Sequence, residues 1–294
     1  MGAKILFVGV AAYLIQKPNR GAVQATSCDD IRVITLTYNG RSVDLHAGAQ
    51  RSKLDVEAVF GDFVRSLGGE VLEDSLGSSP KFLNADYLFR RDRIVAELKR
   101  LVEDQSADLA IRSKINRKYR QWIDERRIGP MYGTRQVQSK TLPVDCQRDL
   151  LALFASPIKG RIRKANDQLK ETFQNLKLHE HKGLLILIND GNYGIEADTA
   201  LYLVSRALGD RYRAINSVIY LTVNMFASSP VSGQPVLLWV HATRPAIPGV
   251  DAAFVQALCT SWRGYLSGVF NRTIEFTELK DPGALAQIRL KRRR

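Results

Sequence analysis

The chain has 294 residues, 45% of them hydrophobic, and carries 43 Lys and Arg against 30 Asp and Glu, a formal net charge of +13. That apolar content can bury a sizeable core, as one elaborated domain or two small ones. The three cysteines, Cys28, Cys146 and Cys259, are widely spaced and odd in number, which excludes a disulfide framework or a zinc ribbon and points to a reducing cytoplasm.

Positive excess on this scale points to a polyanionic partner, because phosphate backbones bind such a surface through release of condensed counterions. Basicity alone also fits an acidic membrane surface. At the amino terminus, Ala3 to Ile15 is apolar apart from Lys4 and falls short of the ~20 residues needed to span a bilayer. Lys17, Pro18, Asn19 and Arg20 follow it, which speaks against a signal peptide cut after Val23 or Ala25. A buried strand or helix at the edge of the fold is the expectation. Residues 16–30 then read as a loop, and Ile31 to Tyr38 as a strand ending at the turn signal Asn39-Gly40.

The first well-marked helix follows. Val56, Val59, Phe60, Phe63, Val64 and Leu67 keep the spacing of one buried helical face, and Gly68-Gly69 ends it. Glu57 flanks this stripe, at the border between core and surface.

Two short β-type runs come next, Asn84 to Phe89 and Ile94 to Lys99. Closed as a hairpin with Arg91 and Asp92 at the tip, they set Arg90 opposite Arg93 and Asp86 opposite Glu97. Alternation along the second run then puts Val95, Glu97 and Lys99 on one face and Ile94, Ala96 and Leu98 on the other. Opposed acids repel unless something positive lies between them. A hard divalent cation such as magnesium suits two carboxylates, keeps several waters and leaves room for a phosphate oxygen. A solvated Glu97–Lys99 pair on an exposed strand is the plainer alternative.

These residues resemble the PD-(D/E)XK nuclease superfamily, the restriction-endonuclease-like fold: an acid on one strand, a hairpin, then acid, any residue, lysine on the next. Here the pattern reads Ala85-Asp86 and then Glu97-Leu98-Lys99, with alanine where proline is usual. The resemblance implies an α/β fold, a mixed β-sheet flanked by helices. It implies Mg2+, with Mn2+ substituting, held by Asp86, Glu97 and the Leu98 carbonyl. Lys99 would orient the attacking water, Glu57 would help to hold metal or water, and Gln168 would contact nucleic acid or support the metal site.

Beyond Lys99 the pattern predicts helix over Arg100 to Gln105 and Ala110 to Arg127, then a looser segment to Pro143. Basic residues crowd here: Arg112, Lys114, Arg117, Lys118 and Arg120, then Arg126 and Arg127. Two further clusters are Lys159 to Lys164 and Lys291 to Arg294. Tyr119 and Trp122 lie among the first group, placed either to pack that helix or to stack on bases. A patterned helix from Gly160 to Lys177 carries Lys164 and Gln168, and leads to a strand, Gly183 to Ile188, apolar enough to be covered on both faces. His179-Glu180-His181 lies between them with no matching ligand cluster, so it does not read as a zinc site.

The carboxy-terminal half reads as helix near Ile195 to Leu208, strands Ser217 to Asn224 and Pro235 to His241, helix Val250 to Phe270, and strand Arg272 to Glu278. Asn189-Asp190-Gly191-Asn192 signals a turn that brings Asp190 near the site, and no Walker motif is present. The expected organisation is an N-terminal extension, 1–50, and a nuclease-like domain, 51–294. That domain would carry a basic helical insertion, 100–158, for gripping substrate or for dimerisation, and a C-terminal α/β elaboration, 195–294. The leading expectation is a Mg2+-dependent DNA endonuclease, RNA being the weaker substrate, without a membrane role, acting in restriction, phage defence or repair. The alternative is a nucleic-acid-binding subunit that keeps the fold without cleaving. A glycosidase acid pair is disfavoured by the adjacent lysine. A second copy or a larger assembly stays open as a partner.

Overall fold

Asp55 starts the first long helix by accepting the main-chain N–H groups of Glu57 and Ala58. Gly68, at φ +74°, stops it, and the Gly69 and Gly68 N–H groups close back on the Val64 and Arg65 carbonyls. The computed structural model describes residues 5–7, 30–38, 41–42, 53–77, 80–102, 108–130, 135–137, 141–208, 212–228, 235–243, 247–271, 274–279 and 289–291.

In chain order the elements are β1 (Ile5–Phe7), β2 (Asp30–Tyr38), β3 (Arg41–Ser42), α1 (Val56–Ser66), β4 (Glu70–Val71), α2 (Leu72–Leu76), β5 (Tyr87–Phe89), β6 (Ile94–Leu101) and α3 (Leu109–Asp124). They continue with β7 (Arg135–Val137), α4 (Val144–Asn175), β8 (Lys182–Asn189), α5 (Ala197–Leu208), β9 (Ser217–Thr222), β10 (Phe226–Ser228), β11 (Pro235–Thr243), α6 (Ala252–Phe270), β12 (Ile274–Leu279) and β13 (Arg289–Lys291).

Among the described residues, eleven strands form one mixed sheet in the order β12-β2-β11-β9-β8-β6-β5-β4, with β10 joining β11 and β13, and β3 joining β2. The centre, β6-β8-β9, is parallel, and the strands on either side of it are antiparallel. A parallel pair needs a long crossover, and α3 with α4 supply it between β6 and β8. β1 pairs with β7 apart from this sheet.

Helices cover both faces, as expected for an α/β fold. α1 and α6 pack on the face that carries Ile94, Ala96, Leu98 and Ile186, where Phe60, Phe63 and Trp262 meet edge-on or tilted. α3, α4 and α5 pack on the face that carries Val95, Leu101, Leu185 and Leu187. β8 is buried from Gly183 to Asn189, consistent with its unbroken apolar run. At Gly183 an added Cβ would stand 1.8 Å from the Ala214 carbonyl oxygen, so close strand approach demands glycine there.

Two expectations need correction. Arg100 and Leu101 are not helical: they extend β6, pairing with Ile188 and Asn189, because the long buried β8 offers a ladder that overrides local helix propensity. The helix expected from Gly160 begins at Val144. Pro157 removes one N–H and Gly160 weakens the pattern, yet the helix runs through both because Phe154, Ile158 and Ile162 keep one buried face. β2, from the expected N-terminal extension, pairs with β11 and β12 inside the main sheet, position 158 falls within α4, and β9, β11 and β12 continue that same sheet.

The loop expected at 16–30 is outside the described residues apart from Asp30, which begins β2. Residues 17–20, Val23, Ala25, Cys28, the Asn39-Gly40 turn, 103–107 and Arg292 to Arg294 also lie outside them. Among the described residues no helix is long and apolar enough to cross a membrane.

Candidate active site

The hairpin closes in the expected register: Tyr87 faces Ala96, Leu88 faces Val95 and Phe89 faces Ile94, with the Arg93 N–H on the Arg90 carbonyl. Arg93 takes the left-handed conformation, φ 55°, at the turn. One residue before β5, Asp86 sits opposite Glu97. Its Oδ2 accepts the Leu98 N–H at 2.7 Å. A strand residue points its N–H and C=O to the same side, so the Leu98 carbonyl also opens toward Asp86, past the end of the β5 pairing.

On the α4 side of β6, Lys99 Nζ donates to Glu97 Oε1 and, at 2.8 Å, to Gln168 Oε1. Gln168 Nε2 in turn donates to the Asn84 carbonyl at 2.8 Å. The structure therefore brings Asp86, Glu97, Lys99 and Gln168 together. Gln168 touches the amine directly, closer to the site than a solvated helix glutamine would be.

α4 fixes the approach to β5 through three residues on one helical face. Besides Gln168, Glu171 Oε2 accepts the Leu83 N–H at 2.8 Å and Thr172 Oγ1 accepts the Ala85 N–H at 2.7 Å. Ala85 and Thr172 are fully buried. Thr172→Val keeps the shape but orphans the Ala85 N–H, so an expected loss of about 1–3 kcal/mol follows. Urea unfolding measures it, and an unchanged midpoint would remove Thr172 from this role.

Electrostatics at the acids is one-sided. Burial raises the Asp86 pKa, against the Leu98 N–H and the Lys99 charge, which lower it. Glu97 is pushed well above the carboxylate range, first by burial and then by the Asp86 charge, despite Lys99. Its carboxyl is fully buried and its Oε2 has no hydrogen-bond partner. That oxygen faces the Asp86 carboxyl, so the two acids share a proton when no ion is bound, and a hard cation would take that proton's place. Among the described residues no group of three or more His, Cys, Asp or Glu could hold a metal.

Glu57 stands apart from that pair. Its side chain is 68% exposed and meets Arg100 at 3.3 Å, on the α1 face of β6. It reaches Asp86 only through space, raising its pKa. The structure thus sets Glu57 near Asp86 by charge and on Arg100 by contact.

A second polar centre lies where β6 and β8 end. Asp190, fully buried, accepts Arg100 Nη2 at 2.5 Å and Asn224 Nδ2 at 2.7 Å, with Lys53 Nζ at 3.3 Å. Asn224 also holds both main-chain groups of Leu54, just before α1. From the other face, Arg161 Nε donates to the Arg100 carbonyl at 2.6 Å. Sequence reading placed Asp190 near the site but missed Arg100, Lys53, Asn224 and Arg161; the single available signal was Arg100 following the acid-X-lysine step.

The expected nucleic-acid residues split. Arg112, Lys114, Arg117 and Arg120 are exposed on α3, Lys164 is exposed on α4 one turn before Gln168, and Lys118 meets Asp149 at 3.7 Å. Tyr119 and Trp122 are buried against α4, with Trp122 Nε1 donating to Asp149, so of the two uses left open for them it is the packing of α3 that is seen. Glu180 of the His-Glu-His tract is held by Arg93. No family model, curated protein or solved structure matches this chain.

Proposed function

We propose that the chain is a Mg2+-dependent endonuclease of the PD-(D/E)XK type, acting on DNA in preference to RNA, in a reducing cytoplasm. One observation carries this reading: a fully buried Glu97 carboxylate with an unpartnered oxygen, set opposite Asp86 and beside the Lys99 amine. Asp86, Glu97 and the Leu98 carbonyl would hold the ion, and bound Mg2+ would polarise a phosphoryl oxygen and acidify its water. Lys99, steadied by Glu97 and Gln168, would orient the attacking water and stabilise the charge that builds on the phosphoryl oxygens. Gln168 sets the amine by bridging it to the Asn84 carbonyl. Glu57 adds negative charge near Asp86 and favours a cation there.

Incubation of supercoiled plasmid with and without Mg2+ or Mn2+ tests the proposal. Nicking should need the metal and fall at least ~100-fold in both Asp86→Ala and Lys99→Ala. Metal-independent nicking, or salt-sensitive binding without any cleavage, overturns it, the latter in favour of a binding subunit.

A further inference from the structure

We infer that the α3–α4 pair grips duplex DNA through its phosphates alone, without reading bases, and leads it to the acid–amine site; the choice of DNA as the polyanion rests on the nuclease reading. The two helices run antiparallel, since Trp122 meets Asp149 while the later Arg127 meets the earlier Asp145. That direction carries the front half of α3 toward the stretch of α4 from Lys159 to Lys164.

The cations of the pair fall into two groups. Arg127 and Lys118 are engaged: Glu125, Asp145 and Asp149 all meet Arg127, and Asp149 also meets Lys118. Lys114, Arg117 and Arg120 on α3, with Lys159, Arg163 and Lys164 on α4, are exposed and show no ion pair among the described residues. Lys164 precedes Gln168 by one helical turn, about 6 Å along the axis, so the second group extends to the site.

Among the described residues this surface offers no aromatic platform. Tyr119 and Trp122 point inward, and every exposed large hydrophobic residue described is aliphatic. Proteins that hold single strands use exposed aromatic platforms, whereas cationic surfaces without them follow the backbone of a duplex.

Lys114→Gln/Arg117→Gln/Arg120→Gln in the full chain tests this, with binding measured in EDTA on two duplexes of equal length and unrelated sequence. The intact protein should bind both alike. The triple variant should bind more weakly, its slope of log K against log salt shallower by about 0.9 for each phosphate that is no longer neutralised, with thermal unfolding unchanged. An unchanged slope and affinity would overturn the inference. So would a preference between the duplexes beyond ~10-fold, or tighter binding to a single strand or to phosphatidylserine vesicles. Binding in EDTA is read without cleavage, so a protein that binds this way yet never nicks sinks the nuclease reading and leaves this surface standing.

Discussion

Glu97→Gln should yield a protein that is more stable without metal and unable to cleave. The wild-type carboxylate is buried opposite Asp86 with one oxygen unpartnered, a conflict that burial and the neighbouring charge resolve by raising its pKa. An amide of the same shape donates to Asp86 and still accepts from Lys99. With two acids in contact in a buried site, the amide removes their mutual repulsion, so the metal-free variant should unfold at a higher urea concentration. Cleavage should fall by more than the ~10–100-fold that outer partners of a metal site are worth.

The pH dependence has a definite sign. An acid whose folded pKa exceeds its unfolded value, ~4.3 for glutamate, binds more protons in the native state, so metal-free stability declines as pH rises through that window. The decline should be shallower in Glu97→Gln, and Mg2+ should raise the wild-type melting temperature but not that of the variant. Thermal melts across pH with and without Mg2+ decide it. A variant that is less stable at neutral pH, or that still nicks plasmid, contradicts the arrangement.

The site was largely legible in the sequence because its geometry is local. A two-residue tip between apolar runs fixes the register, and the register alone sets Asp86 opposite Glu97. Strand alternation then separates Glu97 and Lys99 from Leu98 without any tertiary knowledge. Gln168 was within reach for a weaker reason: it sits on the helix whose buried face was readable from Ile162, Ala165 and Leu169.

What stayed hidden depends on partners distant in the chain. Whether Arg100 continues a strand is decided by β8, nearly ninety residues later, which supplies the ladder. The first half of α4 was masked because Pro157 and Gly160 look like punctuation, while the burial of Phe154 and Ile158 that overrides them needs α3 and α5 in place. Tyr119 and Trp122 carry the same ambiguity: an aromatic among cations reads equally as a stacking platform or as the inner face of an amphipathic helix until its neighbour is known.

Arg100→Met should be the most destabilising single change near the site. Its guanidinium contacts Asp190 through Nε and Nη2, and the Asp190 side chain is fully buried while that of Arg100 is only 23% exposed. Taking away one member of a buried pair leaves the other charge desolvated, a loss of about 3–5 kcal/mol. Lys53 and Asn224 remain, but the Lys53 side chain is 51% exposed and Asn224 brings no charge, so the lower end, ~3 kcal/mol, is expected. The double variant Arg100→Met/Asp190→Asn should recover much of that loss, because the amide needs no counter-charge, and the double-mutant cycle isolates the coupling. Urea unfolding of the four proteins supplies the numbers. A single-variant loss under ~1 kcal/mol, or no recovery in the double variant, would mean that the Arg100–Asp190 contact behaves as an ordinary surface pair, and that Asn224 and the Leu54 main chain alone hold α1, with Glu57, against the end of β8.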